Sequence, residues 1–306
     1  MQNVLTLITS ENNPVPLDER LVNQSFIALE KEKAAIDNIA WLSEGRACDI
    51  FFEGVDADKV TAQLRASLVN KEGAALPVDF IVQPRENRRK KMLIADMDST
   101  IINQECIDEL ADAIGIKAKV SGITERAMNG ELDFKEALRE RVMLLKGLKE
   151  SLLEGVYAER ITLAHGAKKL VKTMAKHDAH CRLVSGGFTF FTSRIAQEAG
   201  FHANEANTLI FNDGALTGEV GEPILDKESK LKSLRETAAS LGITAEDVLA
   251  IGDGANDLPM LKAAGLGVAC HAKPNVKSEV AAQINFCGLD ALLYAQGYKD
   301  EDIVSE

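Results

Sequence analysis

Two pairs of aspartates stand directly after short apolar runs of this 306-residue chain. Asp96 and Asp98 follow the run "MLIA", and Asp253 and Asp257 follow the run "VLAIG". Such runs predict buried strands of a parallel sheet, and the carboxyl ends of parallel strands meet at one edge. Carboxylates gathered at one edge repel each other unless a cation lies among them. Because the donors are hard oxygens and few in number, the pattern predicts a Mg²⁺ site.

Two further features bring a positive charge and backbone donors toward the same edge. "LVSGG" ends a third predicted strand with Ser185 and Gly186, and glycines there let backbone N–H groups approach an anion. Lys230 lies near the start of a polar helix that precedes "VLAIG". Together with the acids, these residues fit a phosphoryl group bridged to Mg²⁺. Each feature alone has a plain structural alternative, because acids and glycines after a strand commonly form turns and helix caps.

The elements that must position these residues begin at Met92. Short apolar runs alternate with helical stretches, which predicts an α/β core with a Rossmann-like parallel sheet. The runs are "MLIA", "CRLVS", "VLAIG", "LGVAC" and "INFC". Residues 103–177 contain no strand pattern, and their helical pieces predict an inserted cap. The core then comprises residues 92–102 and 178–306, with a hairpin in "NTLIFNDGALTGEV" that turns at its Asp-Gly pair.

Residues 1–84 carry a different pattern. Strand and helix signals in the order βαββαβ predict a small α+β unit of the ferredoxin-like type. Trp41 lies in one of these predicted strands and is expected to be buried. Residues 85–91, "RENRRKK", are interpreted as a solvated linker between the two units. A nucleic-acid patch is the alternative interpretation of these basic residues, and the acidic chain disfavours it.

Charge and cysteine content limit the class of protein. With 35 basic and 47 acidic side chains, the formal net charge is −12, which repels nucleic acid and anionic membranes. No apolar run approaches the ~20 residues that span a bilayer, and the first residues lack the basic start of a signal peptide. The five cysteines are scattered and form no CxxC pair, which favours reduced thiols. We therefore expect a cytoplasmic protein with a small-molecule partner, and neither nucleic acid nor a membrane.

The four chemical motifs resemble those of a known family. "DMDST", "SGG", Lys230 and "GDGAND" are similar, in order and spacing, to the four motifs of the haloacid-dehalogenase superfamily of phosphatases. "NQECID", "AMNGELDFKEALRERVMLLKG" and "CHAKP" resemble, within that superfamily, the phosphoserine phosphatases of the bacterial serine-synthesis type. The likeness covers about Lys91 to Leu293. Residues 1–84 resemble the ACT-like domain that some of these enzymes carry.

The resemblance implies a role for each motif residue. Asp96 is the nucleophile that forms an aspartyl-phosphate, and Asp98 is the general acid and base, with Thr100 helping to orient it. The Asp96 carboxylate, the Asp98 backbone carbonyl and the Asp253 carboxylate hold one Mg²⁺, and Asp257 orients the metal or its waters from behind. The phosphoryl oxygens are held by Ser185, the Gly186 N–H group, Lys230 and Asn256.

The predicted cap supplies candidates for substrate recognition. The resemblance implies that Glu105 binds an ammonium group, that Arg141 binds a carboxylate bidentately, and that Phe134 shields the bound molecule. Phe134 precedes Arg141 by seven residues, so a helix carries both on one face. By residue type alone, Glu105 would be a charge at a helix start, Arg141 part of a surface ion pair, and Phe134 a core side chain. Met128 is a further candidate for the pocket wall, and a core methionine is its alternative.

The resemblance therefore implies a Mg²⁺-dependent hydrolase that converts O-phospho-L-serine to L-serine and phosphate, the last step of serine biosynthesis. One alternative is a phosphatase or phosphotransferase for another small phosphate ester, for example with transfer to homoserine. A second is a serine-sensing regulatory protein whose α/β part is inert, which the intact motifs disfavour. A homodimer formed through the N-terminal unit is a further expectation.

Overall fold

An antiparallel sheet with two helices forms the N-terminal unit. The computed structural model describes residues 2–11, 16–128 and 131–305. The elements of this unit are β1 (Asn3–Ile8), α1 (Glu19–Lys31), β2 (Ala35–Ser43), β3 (Ala47–Glu53), α2 (Ala57–Ser67) and β4 (Asp79–Pro84). The strand order is β2-β3-β1-β4, and every neighbouring pair is antiparallel. The predicted βαββαβ order is confirmed.

The two faces of this sheet pack against different partners. Leu5 and Leu7 of β1 share a core with the buried residues of α1 and α2. Ile8 of β1 and Ile81 of β4 belong instead to the large core that includes Leu292 and other residues of the C-terminal unit. Both faces are thus covered, and the N-terminal sheet is fixed on the rest of the molecule by apolar packing.

Trp41 is not a core residue, so that prediction was wrong. Its side chain is 44% exposed. It lies on β2, the strand at the edge of the N-terminal sheet. Alternation within a strand predicts which face a residue occupies, but it does not tell whether the strand has a neighbour on both sides.

Residues 85–91 connect the two units and are mostly exposed, as expected of a solvated linker, but their basic side chains also make specific contacts. The Arg88 guanidinium donates to Asp49 Oδ2 at 2.7 Å, and the Arg89 guanidinium lies 3.9 Å from the centre of the Tyr298 ring. Lys90 is buried, and its Nζ donates to the backbone carbonyl of Glu246 at 2.7 Å. The basic side chains hold this segment against both units, which explains their number without a nucleic-acid partner.

The C-terminal unit is built around a second sheet. Its elements are β5 (Met92–Ala95), α3 (Cys106–Ala113), α4 (Lys117–Met128), α5 (Phe134–Met143), α6 (Glu150–Arg160), α7 (Ala167–Lys176), β6 (His180–Phe188), α8 (Thr189–Ala199), β7 (Ala203–Asn207), β8 (Leu209–Asn212), β9 (Ala215–Val220), α9 (Lys227–Ser240), β10 (Val248–Gly252), α10 (Leu258–Ala263), β11 (Leu266–Cys270), α11 (Pro274–Lys277), β12 (Ala282–Ile284) and α12 (Ala291–Ala295). Six parallel strands lie in the order β12-β11-β10-β5-β6-β7. The predicted α/β class is confirmed.

Two strands of this sheet differ from the sequence patterns. β7, "ANEAN", pairs with β6 at one edge although its sequence is polar. The sequence has no apolar run there, so this strand was not predicted. The run "INFC" begins where β12 ends, because Asn285, Phe286 and Cys287 donate their backbone N–H groups to the carboxylate of Asp79. Those donors therefore bind the N-terminal unit rather than a neighbouring strand.

The helices between β5 and β6 fall into two groups. The helices α3, α4, α5 and α6 contact one another or the hairpin of β8 and β9. The fifth helix, α7, packs on β6, α8 and α12, so the last part of the segment 103–177 covers the sheet. The hairpin turns at Asp213 and Gly214, both with positive φ, as the Asp-Gly pair predicted. Gly147 N donates to Leu216 O at 2.8 Å, which joins the cap to this hairpin.

None of the helices in the described part of the chain is sufficiently long and apolar to cross a membrane.

Candidate active site

Asp96, Asp257 and Lys230 form a buried charged group at the carboxyl edge of the sheet. Asp96 directly follows β5, and its backbone N–H donates to Ile251 O of β10, which fixes its position. Lys230 projects from the first turns of α9, and its Nζ lies 2.6 Å from both Asp96 Oδ1 and Asp257 Oδ1. All three residues are at most 5% exposed. The lysine that we predicted to supply counter-charge thus lies between two of the acids.

The charges in this group change each other's pKa. Burial alone would lower the pKa of Lys230, but Asp257 and Asp96 raise it, so the amine stays protonated. Burial and the charge of Asp257 raise the pKa of Asp96 well above its ordinary value, against the opposing effect of Lys230. One lysine therefore does not compensate the buried acids, and the ionised form of the group calls for further positive charge.

Asp253 adds a third carboxylate beside the other two. Carboxylate oxygens of Asp96, Asp253 and Asp257 all lie within 4.8 Å of one another. Burial raises the pKa of Asp253 to about 6, and Lys273 opposes the shift. Carboxylates crowded in this way, with hard oxygen atoms and excess negative charge, fit a divalent ion such as Mg²⁺. The predicted metal acids are therefore brought together.

Asp257 is held rigidly behind this group. Its Oδ1 accepts from Lys230 Nζ, and its Oδ2 accepts from the backbone N–H of Gly254 at 3.0 Å. A Cβ atom on Gly252 would lie 2.5 Å from the carboxyl carbon of Asp257, so this position needs a glycine. Thr100 was expected to orient Asp98, but its hydroxyl donates to Asp253 Oδ1 at 3.4 Å instead.

Asp98 is not one of the three clustered acids, and its side chain is held by other contacts. Its Oδ1 accepts from the backbone N–H of Cys106 at 2.8 Å, and its Oδ2 accepts from the hydroxyl of Ser185 at 3.3 Å. A Cβ atom on Gly187 would lie 2.7 Å from Asp98 Oδ2, so the second glycine of "SGG" makes room for this acid. Burial raises the pKa of Asp98, and the hydrogen bonds to Cys106 and Ser185 oppose the shift. Its backbone carbonyl is left for the metal, and that role stays a prediction.

The recognition candidates of the cap surround the opening above these acids. Glu105 is the residue before α3, and its Oε1 accepts from the hydroxyl of Ser99 at 2.8 Å. Phe134 begins α5, and its ring lies against Gly186, where an added Cβ would be 3.3 Å from the ring. Arg141 lies two turns later on α5, and its Nε donates to Ala137 O. Burial lowers the pKa of Arg141.

A cavity of about 150 Å³ lies between the acids at the sheet edge and the candidate recognition residues of the cap. Nine predicted residues line it: Asp96, Asp98, Glu105, Phe134, Arg141, Ser185, Gly186, Asp253 and Asn256. Lys230, Asp257 and Thr100 lie beneath its floor rather than in its wall. The side chain of Met128 falls outside the described residues.

Several residues to which the sequence interpretation gave no role in the pocket also line the cavity, among them Lys273 and Leu138. Lys273 contributes its amine, which lies 3.8 Å from Asp253 Oδ2. It belongs to "CHAKP", which was matched as a string without a role for its lysine. Leu138 lies four residues after Phe134 and three before Arg141 on α5. Helical spacing places it on the face of those two residues, so periodicity was a signal that could have found it.

Comparisons with known proteins agree with this geometry. Residues 93–262 match the haloacid dehalogenase-like hydrolase family. The chain belongs to this family. A phosphoserine phosphatase of Polaromonas sp. is 51% identical over 208 residues, which are 66% of this chain and 88% of that protein. A phosphoserine phosphatase of Saccharomyces cerevisiae is 38% identical over 98% of this chain and 97% of its own length.

Solved structures show the same haloacid dehalogenase-like fold. A family hydrolase from Salmonella enterica serovar Typhi has a TM-score of 0.81 at 29% identity, covering 96% of this chain and 98% of that one. A solved phosphoserine phosphatase described as a phospho-aspartyl intermediate analogue has a TM-score of 0.62 at 40% identity, covering 67% of this chain and 98% of that one. The resemblance drawn from the four motifs is confirmed, and this haloacid dehalogenase-like hydrolase is an enzyme.

Proposed function

We propose that this hydrolase is a Mg²⁺-dependent phosphatase that converts O-phospho-L-serine and water to L-serine and phosphate through an aspartyl-phosphate on Asp96. One observation carries the proposal. A single small cavity has the Asp96 carboxylate at its floor, with Lys230 directly behind it, and an acid and a guanidinium, Glu105 and Arg141, at its opening. The floor suits a phosphoryl group, and the opening suits the two charges of an amino acid.

Asp96 is the nucleophile in this proposal. Lys230 contacts Oδ1 of Asp96, which leaves the other oxygen to attack phosphorus as the bond to the serine oxygen breaks. Attack requires the ionised carboxylate, although burial and Asp257 raise its pKa. The amine of Lys230 favours ionisation, and the phosphoryl transfer then splits hydrolysis into two displacements. The solved phosphoserine phosphatase that is described as a phospho-aspartyl intermediate analogue supports this route.

Asp98 is the proton donor to the departing serine oxygen. An aliphatic alkoxide is a poor leaving group, so it needs a proton as the bond breaks. The raised pKa of Asp98 keeps a proton on this acid more readily than an exposed carboxyl would. The hydrogen bonds from Cys106 N and from Ser185 fix the side chain between cap and core. After the alcohol leaves, the same group, now ionised, takes a proton from the water that attacks the aspartyl-phosphate.

The carboxylates of Asp96 and Asp253 are the proposed side-chain ligands of the metal, with Asp257 behind them. A bound Mg²⁺ would offset the negative charge shared by the carboxylates and the phosphate. The chain's own contribution is to keep these acids fixed, and Asp257 does so through Lys230 and Gly254 N. The phosphate oxygens are held by Ser185, the Gly186 N–H group, Lys230 and Asn256.

Recognition of the serine part rests on charge at the opening of the cavity. In the described part of the chain no carboxylate forms an ion pair with Arg141, whose Nε donates to the backbone carbonyl of Ala137. A partly buried guanidinium without such a partner is costly, and a substrate carboxylate would satisfy it. Glu105 can receive the ammonium group, and the ring of Phe134 covers the phosphate-binding turn at Gly186. A phosphate ester without these charges would leave both groups unpaired.

A panel of phosphate esters tests the proposal. We expect phosphate release from O-phospho-L-serine with Mg²⁺, loss of release after EDTA, and much slower release from esters that lack the amine or the carboxylate. The variant Asp96→Asn should lower turnover by at least about 10³-fold and should form no acid-labile phosphoenzyme, because it lacks the nucleophile. Both are measured with phosphate detection and acid-quenched, ³²P-labelled substrate.

The same panel separates the alternatives. Greater turnover of another ester would replace the substrate, and a phosphorylated product formed in the presence of homoserine would indicate transfer instead of hydrolysis. Absence of turnover on every ester, with serine binding retained, would favour the regulatory alternative. Full activity of Asp96→Asn would rule out the proposed nucleophile.

A further inference from the structure

We propose that Ser99 is a positioning residue that holds Glu105 in the orientation that receives the ammonium group of the substrate. This inference rests on the proposed function and deepens it. The contact that carries it is the hydrogen bond from the Ser99 hydroxyl to Glu105 Oε1, 2.8 Å long. Ser99 does not line the cavity, whereas Glu105 does, so any effect of Ser99 on the substrate passes through Glu105.

The backbone conformation of Ser99 supports a specific role. Its φ is 54° and its ψ is 9°, in the left-handed region that residues with a Cβ atom seldom adopt. The Ser99 N–H donates to Gln104 O at 3.1 Å, which closes the turn that leads to Glu105. Glycine would fit this backbone without strain, but it would not supply the hydroxyl. The strained residue thus brings a donor to the acid that ends the turn.

The surroundings of Glu105 leave it one oxygen for a ligand. Oε1 is held by Ser99, and within the described residues no lysine or arginine forms an ion pair with either oxygen. Burial and the nearby charge of Asp98 raise the pKa of Glu105, and the Ser99 hydrogen bond and Lys273 oppose the shift. The hydroxyl therefore favours the ionised form as well as fixing the side chain, and an ammonium group binds only that form.

The turn also ties Glu105 to the proton donor. Asp98 Oδ1 accepts from the N–H of Cys106, the residue that follows Glu105. Asp98 and Ser99 thus contact Cys106 and Glu105, respectively, across the same turn. Loss of the Ser99 hydroxyl leaves the Asp98 contact in place, so the inference predicts a defect in binding rather than in the chemical step.

The test compares two substrates that differ only in the amine. O-phospho-L-serine carries the ammonium group, and 3-phosphonooxypropanoate has the same phosphate and carboxylate without it. We expect Ser99→Ala to raise KM for O-phospho-L-serine about tenfold, as loss of a hydrogen bond to a charged group does. Its kcat should stay within about twofold, and kcat/KM for the amine-free ester should not change, because the proton donor and Arg141 are untouched.

Two further variants separate the hydroxyl from other causes. Ser99→Gly also lacks the hydroxyl, but it removes the strain of the left-handed backbone conformation. It should therefore share the binding defect of Ser99→Ala. Normal binding by Ser99→Gly would assign the defect to backbone strain and overturn the inference. In a Glu105→Gln background, Ser99→Ala should cause no further change, since the group that it positions is no longer charged. Thermal unfolding of each variant checks that the fold is retained.

The remaining outcomes are decisive as well. If the unaltered enzyme hydrolyses neither compound, the proposed function fails before any variant is compared. If it prefers O-phospho-L-serine and both Ser99 variants keep that preference, the inference alone fails. An equal rise in KM for both substrates would also overturn it, because that result describes general damage to the cavity.

Discussion

At Asp253 a proton competes with a metal ion for the same carboxylate. Its pKa is raised from an ordinary value of 3.8 to about 6, chiefly by burial. A raised pKa means that the folded protein favours the protonated acid. Through this group, the metal-free enzyme loses stability as the pH rises from about 4 to about 6, and the loss persists above that range. A metal that binds the ionised carboxylate reverses this loss.

We therefore predict that Mg²⁺ binds more weakly as the pH falls below about 6. Because the ion must displace a proton from Asp253, whose pKa is about 6, the affinity should drop by roughly fivefold between pH 6 and pH 5. Isothermal titration calorimetry at several pH values measures it, and Mg²⁺ should raise the melting temperature more at about pH 7.5 than at about pH 5. An affinity that is the same at these two pH values would contradict the assigned role of Asp253.

The residues that line the candidate site were largely predictable, because their motifs are short and their spacing is fixed by strand ends. Asp96, Asp98, Ser185 and Asp253 line one cavity, as expected. Thr100 was predicted to contact Asp98 and contacts Asp253 instead. Which way a hydroxyl points depends on the dihedral angles of one turn, and these cannot be read from residue order.

At the scale of elements, α5 positions two of the proposed recognition residues at once. It carries Phe134 in its first turn and Arg141 in its last. Asp133 caps the helix by accepting from Glu136 N, and the Glu136 side chain accepts from Asp133 N in return. This reciprocal pair satisfies two N–H groups that the first turn leaves free. The position of the Phe134 ring over Gly186 therefore depends on a cap outside the cavity.

Removal of this cap should weaken substrate binding. We expect Asp133→Ala to cost about 1 kcal/mol at the start of α5, and to raise KM for O-phospho-L-serine up to about fivefold with little change in kcat. Steady-state kinetics measure the effect. The matched control is Asp133→Ser, which retains a capping oxygen and should behave like the unaltered enzyme. An effect of the same size in Asp133→Ser would show that capping is not the cause.

Helices and strands were predictable where the sequence has a periodic apolar pattern. They were not predictable where pairing with a neighbouring strand determines the structure. The order βαββαβ and the strands β5, β6, β10 and β11 follow their patterns. β7 is polar, and it forms a strand because the exposed edge of β6 offers it hydrogen bonds. The exposure of Trp41 likewise reflects the place of β2 at a sheet edge, which is a property of the whole sheet.

At the scale of the whole molecule, Asp79 joins the two units. Its buried carboxylate accepts three consecutive backbone N–H groups, those of Asn285, Phe286 and Cys287, at 2.8 to 2.9 Å. These donors follow β12 at the edge of the catalytic sheet. Without an acceptor they would be left unpaired beside an apolar core, which is costly for a buried N–H group.

We predict that Asp79→Ala lowers the free energy of unfolding by about 3 kcal/mol, since several N–H groups lose their partner together. Chemical denaturation followed by circular dichroism measures the change. The matched control is Asp58→Ala on the exposed side of α2, which should change it by less than about 0.5 kcal/mol. Equal effects in the two variants would show that the contact between the units contributes little.

The homodimer expected through the N-terminal unit stays a prediction. The structure does show how that unit is attached to its own chain. Ile8 and Ile81 lie in one apolar core with residues of the catalytic part, and Asp79 adds the buried hydrogen bonds.

A protease that cuts between residues 85 and 91 would therefore break the covalent connection without releasing either fragment, because the contacts that hold them do not run through the peptide chain. Expression of the first 84 residues and the remainder as two polypeptides should likewise give an associated pair. By the same reasoning, a shortened chain that begins at Met92 would expose to water the apolar side chains that the N-terminal sheet now covers, and we expect it to aggregate.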